Sequence, residues 1–174
     1  MARIVVLNGT SSSGKTAVAR AFQDLAPGVF LNFSIDSILY SLPPRVLTRL
    51  ENGEERADPR LVDAFYACVR ELARLGHDLV IDHAITSERE AALLREAVAG
   101  HATLFVGLDC PVDVLNERES ARGDRRIGMA AAQSERVHRW LVYDLRIDTS
   151  VTSAGEAARR MASALQVRHH RHGA

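Results

Sequence analysis

Residues 9–16 read Gly9-Thr10-Ser11-Ser12-Ser13-Gly14-Lys15-Thr16. They fit G-x-x-x-x-G-K-[ST] at every fixed position. Each fixed residue has a physical task. The glycines let the backbone curl until successive N–H groups converge on phosphate oxygens. A helix that starts at the end of such a loop adds its N-terminal dipole. Lys15 is placed to reach the β- and γ-phosphates of a nucleotide, and the Thr16 hydroxyl to ligate Mg²⁺. Lys15 is also the only lysine in the chain. Coding bias explains why every other fixed cation is arginine. The surviving lysine stands where a compact, flexible ammonium is needed and a planar guanidinium is too bulky.

Three further features could work on a bound nucleotide. Asp36 follows an apolar run in Phe33-Ser34-Ile35-Asp36-Ser37. A carboxylate at a strand's carboxyl end faces the ligand crevice of a parallel sheet. There it would take a proton from an acceptor hydroxyl, or hold Mg²⁺ through water. It would equally serve as the cap of a helix over 37–42. Asp82 ends Leu79-Val80-Ile81, the form of a Walker B aspartate that orients Mg²⁺ through its water shell, or of a plain strand-end turn. Arg118, Arg122, Arg125 and Arg126 crowd one segment. They suit either a lid at about 118–128 that closes over a transferring phosphoryl group or a solvated helix end. No Asn-Lys-x-Asp guanine-reading motif exists, because the only lysine lies in the loop at 9–16.

The elements that must position these residues alternate. Residues 3–8, 29–34, 78–82, 103–108 and 145–148 read as strands. Residues 15–25, 35–42, 59–75, 87–99, 111–120, 129–141 and 153–166 read as helices. Pro43-Pro44 is expected to stop the second helix, leaving 45–58 irregular. Asp58-Pro59 starts the long third helix, with its apolar positions at helical spacing. Such alternation predicts an α/β fold: a five-stranded parallel sheet with helices on both faces, a three-layer sandwich in one domain over 1–167. Residues 168–174, with three histidines, read as a frayed, disordered tail.

Composition narrows the partners. Hydrophobic residues make up 47% and charged residues 25%, a globular profile. Acidic and basic side chains balance at 22 each, so no net field draws nucleic acid or an anionic membrane. Cys68 and Cys110 are too few for a disulfide framework or a zinc site, and are expected to be buried, reduced thiols of a cytoplasmic protein. The apolar stretch Ile4–Leu7 is too short for a signal peptide or a membrane span.

With these residues in view, the chain resembles the chloramphenicol phosphotransferase family. The resemblance rests on residues 4–15, on Asp36-Ser37, on Ile81-Asp82, and on Ala121-Arg122-Gly123-Asp124-Arg125 followed by Gly128-Met129-Ala130-Ala131. Val137-His138, Tyr143-Asp144 and Asp148-Thr149 extend it. It runs from about residue 2 to 165. The resemblance implies a nucleoside-monophosphate-kinase-like P-loop fold, ATP with Mg²⁺, and phosphorylation of a small-molecule hydroxyl, chloramphenicol or a similar antibiotic. It implies Asp36 as general base and a lid holding Arg122 and Arg125. Donor binding falls to residues 9–16 with Arg118 and Arg122, and metal holding to Thr16 and Asp82. The acceptor is expected near Ser34, Asp36, Leu39, Tyr40 and His83, with Leu42 and Phe65 either lining it or in the core. Two departures bear on the acceptor: a shortened segment before the long helix, and His83 where a second acidic residue is expected. The alternatives are a metabolite or nucleotide kinase of the same fold, a toxin of the zeta type acting on a cell-wall sugar nucleotide, and a nucleotide-binding switch without transfer.

Overall fold

The computed structural model describes the backbone of residues 1–122 and 129–172, and the side chains of these residues except 122, 129, 131 and 168–172. The strands are β1 (Arg3–Asn8), β2 (Phe30–Ser34), β3 (Asp78–Asp82), β4 (Ala102–Asp109) and β5 (Leu145–Asp148). The helices are α1 (Lys15–Leu25), α2 (Ile35–Leu39), α3 (Pro44–Glu51), α4 (Arg60–Arg74), α5 (Glu88–Ala97), α6 (Val112–Arg122), α7 (Met129–Ser134) and α8 (Ala154–His172).

The strands form one parallel sheet in the order β2-β3-β1-β4-β5. β1 is central, and Ile4 to Asn8 are completely buried. A strand buried on both faces must be apolar throughout, which is why Ile4-Val5-Val6-Leu7 carries no alternation. Its side chains still divide by pleat. Val5 and Leu7 join Phe22 of α1 and Met161 of α8 on one face. Ile4 and Val6 join Phe65 and Val69 of α4 and Leu94 of α5 on the other. These are the two helical layers of the expected sandwich. After β1 the chain runs to β2 on one side, and after β3 it crosses to β4 on the other. The loop after β1 therefore opens at the point where connections diverge, which is where such sheets bind ligands.

Four expectations are corrected. Residues 45–58 are not wholly irregular, because α3 occupies 44–51. Pro44 sits at the first position of α3, where its missing N–H costs nothing and its fixed φ favours helix. The helix expected over 129–141 ends at Ser134, and beyond it the Val137 carbonyl accepts from the Asn8 side chain at 2.6 Å. The last helix runs on to His172 rather than closing at 166. Neither cysteine is buried: Cys68 is exposed on the outer side of α4, and Cys110 is half-buried. Both are free thiols. Among the described residues no helix is long and apolar enough to cross a membrane.

Candidate active site

The loop at 9–16 is held in shape by steric necessity. A Cβ on Gly9 would lie 2.8 Å from the Leu108 carbonyl oxygen and 2.6 Å from Ser13 Oγ. Gly14 has φ +86° and Ser12 has φ 59°, left-handed conformations that turn N–H groups inward. The hydroxyls of Ser11, Ser12 and Ser13 are buried and lack hydrogen-bond partners. Phosphate oxygens would supply the missing acceptors, so these residues fit an anionic group. α1 starts at Lys15 with no acidic residue in its first turn, leaving its positive end open to that anion. Lys15 Nζ donates to the Thr10 carbonyl at 2.7 Å.

The residues expected to hold a metal also converge. The β1–β3 register pairs Leu7 with Asp82, which brings Asp82 beside the start of α1. Thr16 Oγ1 donates to Asp82 Oδ2 at 2.8 Å. A hydroxyl and a carboxylate in contact beside a phosphate loop are the hard oxygen donors that Mg²⁺ prefers. Asp82 is thus more than a strand-end turn residue. Among the described residues no group of three or more His, Cys, Asp or Glu is arranged to hold a metal by itself.

On one side of the loop lies a cavity of about 1330 Å³, which Lys15 and Thr16 line together with Ser34, Asp36, Leu39, Tyr40 and His83. The structure thereby brings Ser34, Asp36, Leu39, Tyr40 and His83 to one cavity beside the phosphate loop. Capping of α2 falls to Ser34, whose Oγ accepts from the Asp36 N–H at 3.2 Å. Asp36 lies in the first turn of α2 and is not its cap. Leu42 does not line the cavity. Phe65 is completely buried and stacks on Phe33 at 5.3 Å, so it belongs to the core. Leu47, Leu50 and Glu51 of α3, within the segment expected to line the acceptor pocket but not named individually, complete the wall. Their signal was present as apolar i, i+3 spacing in a segment read as loop.

His83 and Glu90 stand out in this cavity. His83 is 7% exposed, and neither ring nitrogen has a hydrogen-bond partner. Its ring packs against Phe65 and Tyr66. Glu90 closes the capping box of α5 with Ser87. Its Oε2 accepts from the Thr86 N–H at 2.8 Å, the Ser87 N–H at 3.1 Å and Thr86 Oγ1 at 3.2 Å. Its Oε1 stands 3.8 Å from His83 Nε2, too far for a hydrogen bond. Burial pushes the Glu90 carboxyl up. The nearby His83 imidazole and the Thr86 and Ser87 donors outweigh burial and bring it down to about 2.

On the other side of the loop lies a second cavity of about 650 Å³, lined by Ser12, Gly14, Arg118 and residues 149–154. Beyond the Asp148-Thr149 pair of the resemblance, the loop after β5 was given no role in the sequence. Its one signal is the polar run Thr149-Ser150 directly after a strand. Arg118 is anchored, donating to the Thr149 carbonyl at 2.8 Å and lying 3.5 Å from the Ser12 carbonyl. It and the rest of 118–122 belong to α6 rather than to a loop. The side chain of Arg122, and all of Arg125 and Arg126, lie outside the described residues.

Side-chain contacts tie the segment after the expected lid to the phosphate loop and to the end of β1, and none was legible in the sequence. Gln133 of α7 accepts the Ser11 N–H at 2.6 Å. Asn8 donates to Tyr143 Oη at 2.6 Å and accepts the Ile85 N–H at 2.9 Å. His138 Nδ1 lies 2.8 Å from the same Tyr143 hydroxyl. Burial holds His138 below its usual range despite Asp109 at 3.4 Å. A lone Gln or Asn carries no pattern, so only the tertiary fold reveals these roles.

Comparison with known proteins follows this geometry. Residues 2–166 match a model of the family described as chloramphenicol phosphotransferase-like proteins. A protein of Mycobacterium tuberculosis described as a "Putative O-phosphotransferase" is 26% identical, over 94% of this chain and 82% of its own. An unliganded sugar kinase from Janibacter superposes with a TM-score of 0.72 at 19% identity, covering 96% of each chain. The Mycobacterium tuberculosis APS kinase, solved with AMPPNP and APS, superposes with a TM-score of 0.70 at 19% identity, covering 95% of this chain and 98% of its own. At these identities the two structures establish the P-loop kinase fold.

Proposed function

Since the chain belongs to the chloramphenicol phosphotransferase-like family, we propose that it transfers the γ-phosphate of ATP to a hydroxyl of a small molecule, with chloramphenicol-like antibiotics the first acceptors to consider. The observation that carries this reading is one continuous cavity that joins Lys15 and Thr16 of the phosphate loop to Asp36. A nucleotide switch has no need of a carboxylate and a roomy pocket facing the γ-phosphate position. The family and the kinase fold support phosphate transfer.

The residues divide the work as follows. The loop N–H groups and the Ser11–Ser13 hydroxyls hold the donor phosphates. Lys15 leaves the Thr10 carbonyl to contact the β- and γ-phosphates. Adenosine occupies the smaller cavity, between Arg118 and the loop after β5. Thr16 and Asp82 hold Mg²⁺, which when bound neutralises phosphate charge. The acceptor hydroxyl lies between Asp36 and the γ-phosphate. Its oxygen bonds to the γ-phosphorus as the bond to the β-phosphate oxygen breaks and ADP leaves. Its proton passes to an Asp36 oxygen. Arg122 and Arg125 of the lid stabilise charge on the transferred group and help exclude water.

Asp36→Asn tests the assignment of the base. General-base catalysis contributes about 10²–10⁴-fold. The variant should lose kcat by that order while ATP affinity, measured by calorimetry, stays within about twofold of the original. Near-normal transfer would remove Asp36 from this role.

A further inference from the structure

We propose, resting on the phosphotransferase reading above, that the acceptor is an alcohol that also carries an ammonium group, held by Glu90 and His83 in the cavity that Asp36 lines, and that alcohols bearing a carboxylate or phosphate are excluded. The first observation is His83. It is 93% buried, it lines the cavity, and both ring nitrogens lack hydrogen-bond partners. A buried imidazole in that state points to a ligand that completes its hydrogen bonding.

The second observation is the division of labour on Glu90. One oxygen, Oε2, meets all the structural demands of the capping box. The other, Oε1, has His83 Nε2 at 3.8 Å as its neighbour. An ammonium has three donors. It can donate to this carboxylate and to an imidazole nitrogen at once. A carboxylate acceptor can do neither.

The third observation is the charge of the wall. Apart from Lys15 and Asp82, which serve the phosphate loop and Thr16, the described lining residues include Asp36, Glu51, Glu55 and Glu90 against Arg20. Glu55 is partly met by Arg49 at 3.6 Å. An excess of carboxylates attracts a cation and repels an anion. Leu39, Leu47 and Leu50 supply an apolar wall for the body of the molecule.

A set of three compounds that share one aryl-propanediol core and both hydroxyls, and differ at the nitrogen, tests this. These are the free amine base of chloramphenicol, chloramphenicol itself as the neutral amide, and the N-succinyl acid. Calorimetric binding to the ATP-analogue complex should favour the amine over the amide by about tenfold, with the acid weakest. In Glu90→Gln, which keeps the capping box, the amine's advantage over the amide should vanish. The double variant Glu51→Gln/Glu55→Gln, at exposed positions, should reduce it. Equal or tighter binding of the amide or the acid, no binding of any of the three, or an advantage that survives Glu90→Gln would overturn the proposal. Mass detection of a phosphorylated product in the same samples tests the phosphotransferase reading separately. Amine preference without product would sink that reading and leave the subsite standing.

Discussion

At the scale of single residues, the phosphate loop carries groups that a phosphate would satisfy. Lys15 Nζ donates to the Thr10 carbonyl, which a phosphate can replace. Hydrogen bonds to charged groups contribute about 1.5–3 kcal/mol. Lys15→Ala should therefore weaken ATP binding by about ten- to a hundredfold while leaving the melting temperature without nucleotide almost unchanged. A fluorescent ATP-analogue titration checks it. Glu90 offers a second test. Its carboxyl is brought down in the folded state to about 2, from an ordinary 4.5. Its ionised form therefore stabilises the fold above about pH 5, and that contribution is lost as pH falls toward 2. At about 1.36 kcal/mol per pKa unit the gain is at most about 3 kcal/mol. Urea unfolding should show the original chain more stable than Glu90→Gln at pH 7, with the gap closing as pH falls below about 4. A gap independent of pH would contradict the assignment.

At the scale of elements, α3 is the unexpected one. It has no buried residue, yet Leu47 and Leu50 face the acceptor cavity. A helix that contributes to a wall and not to the core should matter for binding more than for folding. Leu47→Ser/Leu50→Ser should raise the acceptor KM by about tenfold, keep kcat and the KM for ATP, and shift the melting temperature little. This rests on about 1.5–3 kcal/mol for burying a leucine in full, of which a half-exposed one gains part. Equal loss in ATP KM would argue that α3 serves the fold instead. The segment was hidden in the sequence because Pro43-Pro44 signals both the end of one helix and the first turn of the next. By contrast β1, α1 and the loop between them were legible together. An unbroken apolar run, two glycines with steric work to do and one lysine leave few other arrangements.

At the scale of the whole molecule, the parallel five-stranded sheet and the three layers followed from strand–helix alternation, with β1 buried on both faces as its composition required, while the strand order came only with the fold. What the sequence concealed are long-range side-chain contacts across 77 to 135 residues, such as Asn8 with Tyr143 and Ile85. Their partners share no local pattern, and only the packed fold brings them within reach. They fix the loop after β3 and the segment after α7 to the central strand. Asn8→Ala should leave buried amide and carbonyl groups unpaired, at about 1–3 kcal/mol each. It should lower the melting temperature by several degrees, by about 2–4 °C for each kcal/mol in a chain of this size.

The central claim is that the loop at 9–16 binds a donor whose phosphate is handed to a hydroxyl across the cavity. The most direct measurement is ADP release from Mg²⁺·ATP over a panel of hydroxyl compounds that begins with chloramphenicol and its amine base, each reaction followed by mass spectrometry of the acceptor. The prediction is ADP release that depends on acceptor, stoichiometric with an acceptor heavier by one phosphoryl group, and abolished in Asp36→Asn. ATP binding with no acceptor-dependent ADP release across the panel would contradict it, and would leave the chain a nucleotide-binding switch.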